Sequence, residues 1–326
     1  MKRRDFLGAL AAGAVSLCHG AGLAQQQSKT WRVGIIEDGP LWIYFRDRLR
    51  DLGGIDGQNV TIESRRANGS PDRLLAAAQE LARLPVDVIA VAGSPAAKAA
   101  QAATDTVPVV AMVIGDPVAI GLVKDWQQPG GNITGSTTLS PNLASKRLQL
   151  LKDILPHLSR VAYLYNPDNP SSRAYLEQLR TAASPLGASM IAVETGVGGE
   201  FDKAFEQVAK SRANAMLIAG DIVQQRDIDR IVSFQLQHRL PVMFARREDV
   251  DAGGLLSYGV SVPELYRNGA IYVHQILHGA RPAEIPFAQP AKLELVINLA
   301  TAKTIGITIP PSIMAAADEV ISDEEE

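Results

Sequence analysis

The chain has 326 residues, 46% of them hydrophobic and 21% charged, with a formal net charge of −3. Without a basic stripe and with a slightly acidic balance, nucleic acid is excluded as the main partner. The length predicts two domains, and aromatics at only 5% beside plentiful Ala, Val, Leu and Ile suit α/β layers packed by aliphatic side chains.

The first segment, MKRRDFLGALAAGAVSLCHGAGLA (residues 1–24), has a basic start, an apolar stretch from Phe6 to Leu17 and a small-residue exit. That is the layout of an export signal peptide, too short and wrongly flanked to span a membrane. Arg3-Arg4-Asp5-Phe6-Leu7 resembles the twin-arginine motif, with a general secretory signal as the alternative. Leu17 is too bulky for a lipoprotein box, which argues against a lipid anchor at Cys18. Removing this segment takes away three basic side chains, one acidic side chain and the only cysteine, moving the net charge from −3 to −5. The mature protein is therefore expected in the periplasm without disulfide or thiol chemistry.

From Arg32 the pattern alternates. RVGIIEDG reads as a strand and LWIYFRDRLRDLGG as a helix stopped by glycine; NVTIESRRA is a β-branched strand. SPDRLLAAAQELARLP is a helix with Ser70 at its cap and Pro71 in its first turn. VDVIAVAG, SPAAKAAQAATD and VPVVAMVIGDP continue as strand, helix, strand. After GGNITGSTTL a second run begins: helix SPNLASKRLQLLKDILP, strand RVAYLY, helix RAYLEQLRTAASPLG, strand ASMIAVET, helix EFDKAFEQVAKSR, strand ANAMLIAGD, helix IVQQRDIDRIVSFQLQHR and strand LPVMFARRE. The tail reads as a strand kinked at Gly259, a long amphipathic helix, then another strand and helix.

Alternating units predict mostly parallel sheets. The fold class expected is α/β, with two doubly wound parallel-sheet lobes joined by three hinge crossings near Gly135, Gly259 and Pro286. The first lobe takes residues 31–136 plus about 260–286, the second 137–259 plus about 287–321, and 322–326 form a frayed acidic tail. A cleft between lobes joined in this way is a hinge-closing binding site.

At DPVAIGLV, PGGNITG, RVAYLYNPDNP, GGLLSYG, LYRNGAIYVHQILHGARPAEIPFAQP, LELVINLATAKTIGITIP and ADEVI the chain resembles the ABC-transporter substrate-binding protein family. The likeness runs from about Trp31 to Ile321, within the branch that contains tryptophan/tyrosine-type binding subunits. It implies a type I periplasmic-binding fold, a small-molecule solute between the lobes, an ABC permease in the inner membrane as partner, and no catalysis. Some relatives hold aromatic amino acids. A monomer is expected, with no cofactor and no metal.

Ligands of open α/β sheets sit outside the carboxyl ends of strands. On the first lobe these ends place Asp38, Ser94, Pro95, Gly115 and Asp116, with Trp42 on the adjoining helix. Ser94 opens a helix whose N–H groups suit a carboxylate, or it caps that helix. Asp116 before Pro117 reads as a turn residue that lines the pocket in passing. On the second lobe Asn166, Asn169, Asp221 and Arg246 fill the matching places. Asp221 suits a solute's ammonium, or a helix cap; Arg246 suits an acid group, or solvent. Thr137 and Tyr258, beside the expected links, complete the set.

Three enzyme-like signals are weak. Gly196-Val197-Gly198-Gly199 lacks the last glycine of a dinucleotide loop, since Phe201 stands there. His274 and His278 share a helix face, but the glutamate of a zinc protease and a third ligand are missing. Neither a Gly-x-Ser-x-Gly elbow nor a Walker loop occurs. An exported α/β enzyme with a bound cofactor remains the alternative; a transcriptional sensor would need a DNA-binding helix pair ahead of Trp31, and none is there.

Overall fold

The computed structural model describes residues 30–140, 142–196 and 201–322. The segment expected to be an export signal (with Cys18), the glycines at 198 and 199 and the tail from residue 323 lie outside the described residues.

The first sheet has five parallel strands in the order β2-β1-β3-β4-β5: β1 Trp31–Ile36, β2 Val60–Arg65, β3 Val88–Ala92, β4 Val109–Ile114 and β5 Ile133–Thr137. Successive side chains of a strand point to opposite faces. Val110 and Met112 therefore join the core under helices Trp42–Asp51 and Val262–Leu277, while Val109 and Ala111 join the core under Pro71–Arg83 and Ser94–Ala103. Both faces are covered, which is why these strands read as unbroken apolar runs.

The second sheet runs β12-β11-β10-β9-β8-β6-β7, with β6 Arg160–Tyr165, β7 Ser189–Glu194, β8 Ala215–Ile218, β9 Val242–Phe244, β10 Leu256–Val260, β11 Leu293–Asn298 and β12 Glu319–Ile321. Tyr163 and Leu217 face one core, Leu164 and Ile218 the other. The pairing of β10 with β11 is antiparallel, the exception in a sheet that is otherwise parallel, in line with the mostly parallel sheets expected. After β10 the chain leaves for the first lobe, where helix Val262–Leu277 packs on β3 and β4, and it re-enters from the far end.

Three segments pass between the lobes: after β5 towards helix Leu143–Ile154, at Ser261, and between Ala288, which bridges Ser136, and β11. Each crossing begins within about three residues of Gly135, Gly259 or Pro286, near which it was expected, though those residues themselves sit just inside the lobes. Gly135 is inside β5 and Gly259 inside β10, and both are glycines because a neighbouring backbone comes close. A Cβ would lie 1.7 Å from the Ala111 carbonyl oxygen at Gly135 and 2.0 Å from that of Ala245 at Gly259. Pro286 sits on the first-lobe side, its carbonyl accepting from the Tyr272 hydroxyl. Among the described residues no helix is long and apolar enough to cross a membrane, and no His/Cys/Asp/Glu cluster suits a metal ion. The rings of His274 and His278 lie against each other at a tilt of 37°, centroids 4.1 Å apart.

Candidate functional site

The carboxyl ends of both sheets face each other across a cavity of about 200 Å³. That is below the roughly 300–1,000 Å³ of pockets that take drug-sized ligands, so it suits one small molecule. The first-lobe wall carries Ile36, Pro40, Trp42, Leu74 and Tyr266 beside Asp38, Ser94 and Asp116; the second-lobe wall is richer in polar groups, with Arg147, Asn166, Asn169 and Asp221 beside Tyr163 and Tyr175.

Asp221 follows the apolar strand β8 and caps helix Ile222–Arg226, its carboxylate accepting from the Val223 N–H at 3.0 Å. Asn166 and Asn169, from the turn after β6, donate to its two oxygens at 3.2 and 2.7 Å. All of these partners are neutral amides, and Asp221 is 7% exposed. Arg147 stands nearby on helix Leu143–Ile154, only 5% exposed. Its Nε donates to the Tyr258 carbonyl at 2.7 Å and one Nη to the Tyr175 hydroxyl at 3.2 Å. Tyr163 lies in the fields of both Arg147 and Asp221, and burial pushes its hydroxyl pKa far up, keeping it a neutral donor and acceptor.

The lobes are shut on each other. Ser94 Oγ meets Ser171 Oγ at 2.7 Å, and the Gly115 N–H points at Ser94 Oγ at 3.3 Å. Arg226 donates from the second lobe to the carbonyl and side chain of Asn68 in the first. Val113, just before Gly115, has a φ of +59° where the β4–β5 register shifts. A left-handed β-branched residue costs about 1–3 kcal/mol and is typical of a functional bulge; here it sits next to the point where the lobes touch.

Ten of the twelve expected site residues line the cavity: Asp38, Trp42, Ser94, Pro95, Gly115, Asp116, Asn166, Asn169, Asp221 and Arg246. Thr137 does not; its hydroxyl donates to the Gly115 carbonyl and accepts from the Leu139 N–H, tying the end of β5 to the β4 loop. Tyr258 does not either; its ring packs on the second-lobe core, and its carbonyl holds Arg147.

Lining the cavity does not leave a group free to bind. Asp38 accepts from three backbone N–H groups, of Ala67, Asn68 and Gly69, at 2.7 to 2.9 Å. Replacing it by alanine is expected to destabilise the empty protein by about 1–3 kcal/mol, read in its melting curve, because those donors lose their acceptor. Asp116 closes a turn on Val118 and Ala119, as its place before Pro117 suggested. Ser94 does not cap its helix, whose cap position is Gly93; its hydroxyl shares a hydrogen bond with that of Ser171 and accepts from the Gly115 N–H. Trp42 is 1% exposed and packs edge-on against Phe45 and Tyr266. Arg246 is not solvated: it is buried and ion-paired with Asp249, three residues on.

Arg147 was missed by sequence reasoning. A signal existed: helical spacing puts it on one face with Leu143, Ala144, Leu148 and Leu151, and a charge amid that apolar stripe is anomalous.

The comparisons agree with this geometry. A Tyrosine-binding protein of Clostridioides difficile is 23% identical over 262 residues, 80% of this chain and 75% of that protein. Two crystal structures align over 90% of this chain and all of theirs: a conserved domain protein of Vibrio cholerae (28% identity, TM-score 0.83) and a streptococcal ABC domain in complex with L-Trp (25% identity, TM-score 0.81). Two α/β lobes closed over a small cavity are what solute capture requires, and the ABC transporter substrate binding protein profile matches residues 43–321. The chain belongs to that family.

Proposed function

We infer that this protein is the extracytoplasmic solute-binding subunit of an ABC importer and that its solute is an amino acid with an apolar or aromatic side chain. The observation that carries the reading is the mixed lining of the cavity, which sets Arg147, Asn166, Asn169 and Asp221 on the second lobe opposite Ile36, Trp42, Leu74 and Tyr266 on the first. Such walls orient a polar head and an apolar side chain at once. The relatives named for tyrosine and solved with L-Trp support the same class. The protein works as a periplasmic monomer, exported under the direction of residues 1–24, and presents its solute unchanged to an inner-membrane permease. Contacts such as Ser94 to Ser171 and Arg226 to Asn68 form only when the lobes meet, so a solute that bridges the walls shifts the population towards the shut form.

Ligand screening by melting shift, with native mass spectrometry of freshly purified protein, tests this. L-Tyrosine or L-tryptophan at a hundredfold its Kd is expected to stabilise the protein by about 2.7 kcal/mol. Shifts with sugars or metal ions, and none with amino acids, would overturn the choice of solute. A bound cofactor in the mass spectrum would favour an exported enzyme instead.

A further inference from the structure

Five charged side chains line the cavity, and their partners sort them. Asp38 and Asp116 accept from backbone N–H groups, and Arg246 is paired with Asp249. Two are left. Among the described residues Arg147 makes no ion pair, and its second Nη has no hydrogen-bond partner in the protein. Asp221 has only neutral donors and is not ion-paired with Arg147. A buried charge without a counter-charge is costly, so two such charges of opposite sign in one cavity call for an occupant that supplies both. The site is built for them: Tyr258 and Tyr175 orient the guanidinium, Asn166 and Asn169 hold the carboxylate, and Gly259 leaves room for Arg147. A Cβ there would stand 3.3 Å from its free Nη.

We propose that Arg147 binds the carboxylate of the solute and Asp221 its ammonium, so that the second lobe selects zwitterions over molecules carrying either charge alone. This rests on the amino-acid reading above and deepens it. Both side chains line the one small cavity from the second lobe, where a single occupant meets both. Charge-assisted hydrogen bonds make the choice steep.

The test is titration calorimetry on the full mature chain with L-tyrosine, tyramine (no carboxylate) and 3-(4-hydroxyphenyl)propionate (no ammonium), extended by melting shifts where binding is weak. The wild type is expected to bind tyrosine at least tenfold more tightly than either analogue. Arg147→Gln should weaken tyrosine roughly ten- to hundredfold and leave tyramine unchanged; Asp221→Asn, which keeps the helix cap, should weaken tyrosine similarly and leave the propionate unchanged. Wild type that takes tyrosine and tyramine alike, or an Arg147→Gln variant that loses both in the same proportion, would overturn the assignment and make Arg147 structural. Wild type that binds none of the standard amino acids overturns the reading beneath it. If another amino acid binds instead of tyrosine, its own decarboxylated and deaminated analogues replace these probes.

Discussion

Gly115→Ala is expected to leave the empty protein folded and to cost it roughly ten- to a hundredfold in affinity for its solute. A Cβ on Gly115 would stand 2.5 Å from both the Cβ and the Oγ of Ser171, which belongs to the opposite lobe. No atom of the first lobe lies that close, and the backbone of Gly115 is outside the left-handed region, so alanine is tolerated within its own lobe. The overlap exists only when the lobes are shut. Overpacking of this kind costs about 1–3 kcal/mol, and here the cost falls on closure alone. Calorimetry should show weakened binding while the melting curve of the empty protein hardly moves. Adding Ser171→Gly should restore affinity and adding Ser171→Ala should not, because the alanine keeps the clashing Cβ. A Gly115→Ala protein that binds like the wild type would show that solute is held without this closure.

Gly135→Ala is expected to act on the fold itself. The new Cβ would sit 1.7 Å from the Ala111 oxygen and 2.6 Å from its carbonyl carbon, both backbone of the neighbouring strand β4. A side chain can rotate away from such contact; a hydrogen-bonded strand cannot. β5 would have to separate from β4, where Val109, Val110 and Ala111 pair with Ile133, Thr134 and Gly135. The loss should reach about 4 kcal/mol or more, a large part of the roughly 5–15 kcal/mol that keeps a domain folded. Gly259→Ala should behave alike in the second lobe, against Ala245. Thermal unfolding followed by circular dichroism checks both. A hinge glycine predicts the opposite result, preserved melting with altered closure, so the experiment separates the two roles directly.

Local pattern carried much of this protein. The apolar runs at Val109–Ile114 and Ala215–Ile218 are strands because burial on both faces favours unbroken aliphatics, and the helix over Pro71–Arg83 begins at the serine and proline that announced it. Counting strand ends also found most of the cavity, since loops at the carboxyl ends of parallel strands must converge there. The antiparallel β10–β11 pair was not legible, because direction depends on the route the chain takes through the first lobe.

What the sequence determined by itself, then, is the alternation of elements, the doubling into two lobes and the family. Tertiary structure alone decided which polar groups are spoken for. Asp38 and Asp221 look alike at the ends of two strands, yet one is consumed by a loop 29 to 31 residues away and the other is held open by amides 52 and 55 residues away. Gly135 and Gly115 look alike as loop-side glycines, yet one makes way for a strand of its own sheet and the other for the opposite lobe. The physical reason is that periodicity and capping act within a few residues. Hydrogen-bond satisfaction and close approach, by contrast, are settled by partners brought together only when the lobes fold and meet.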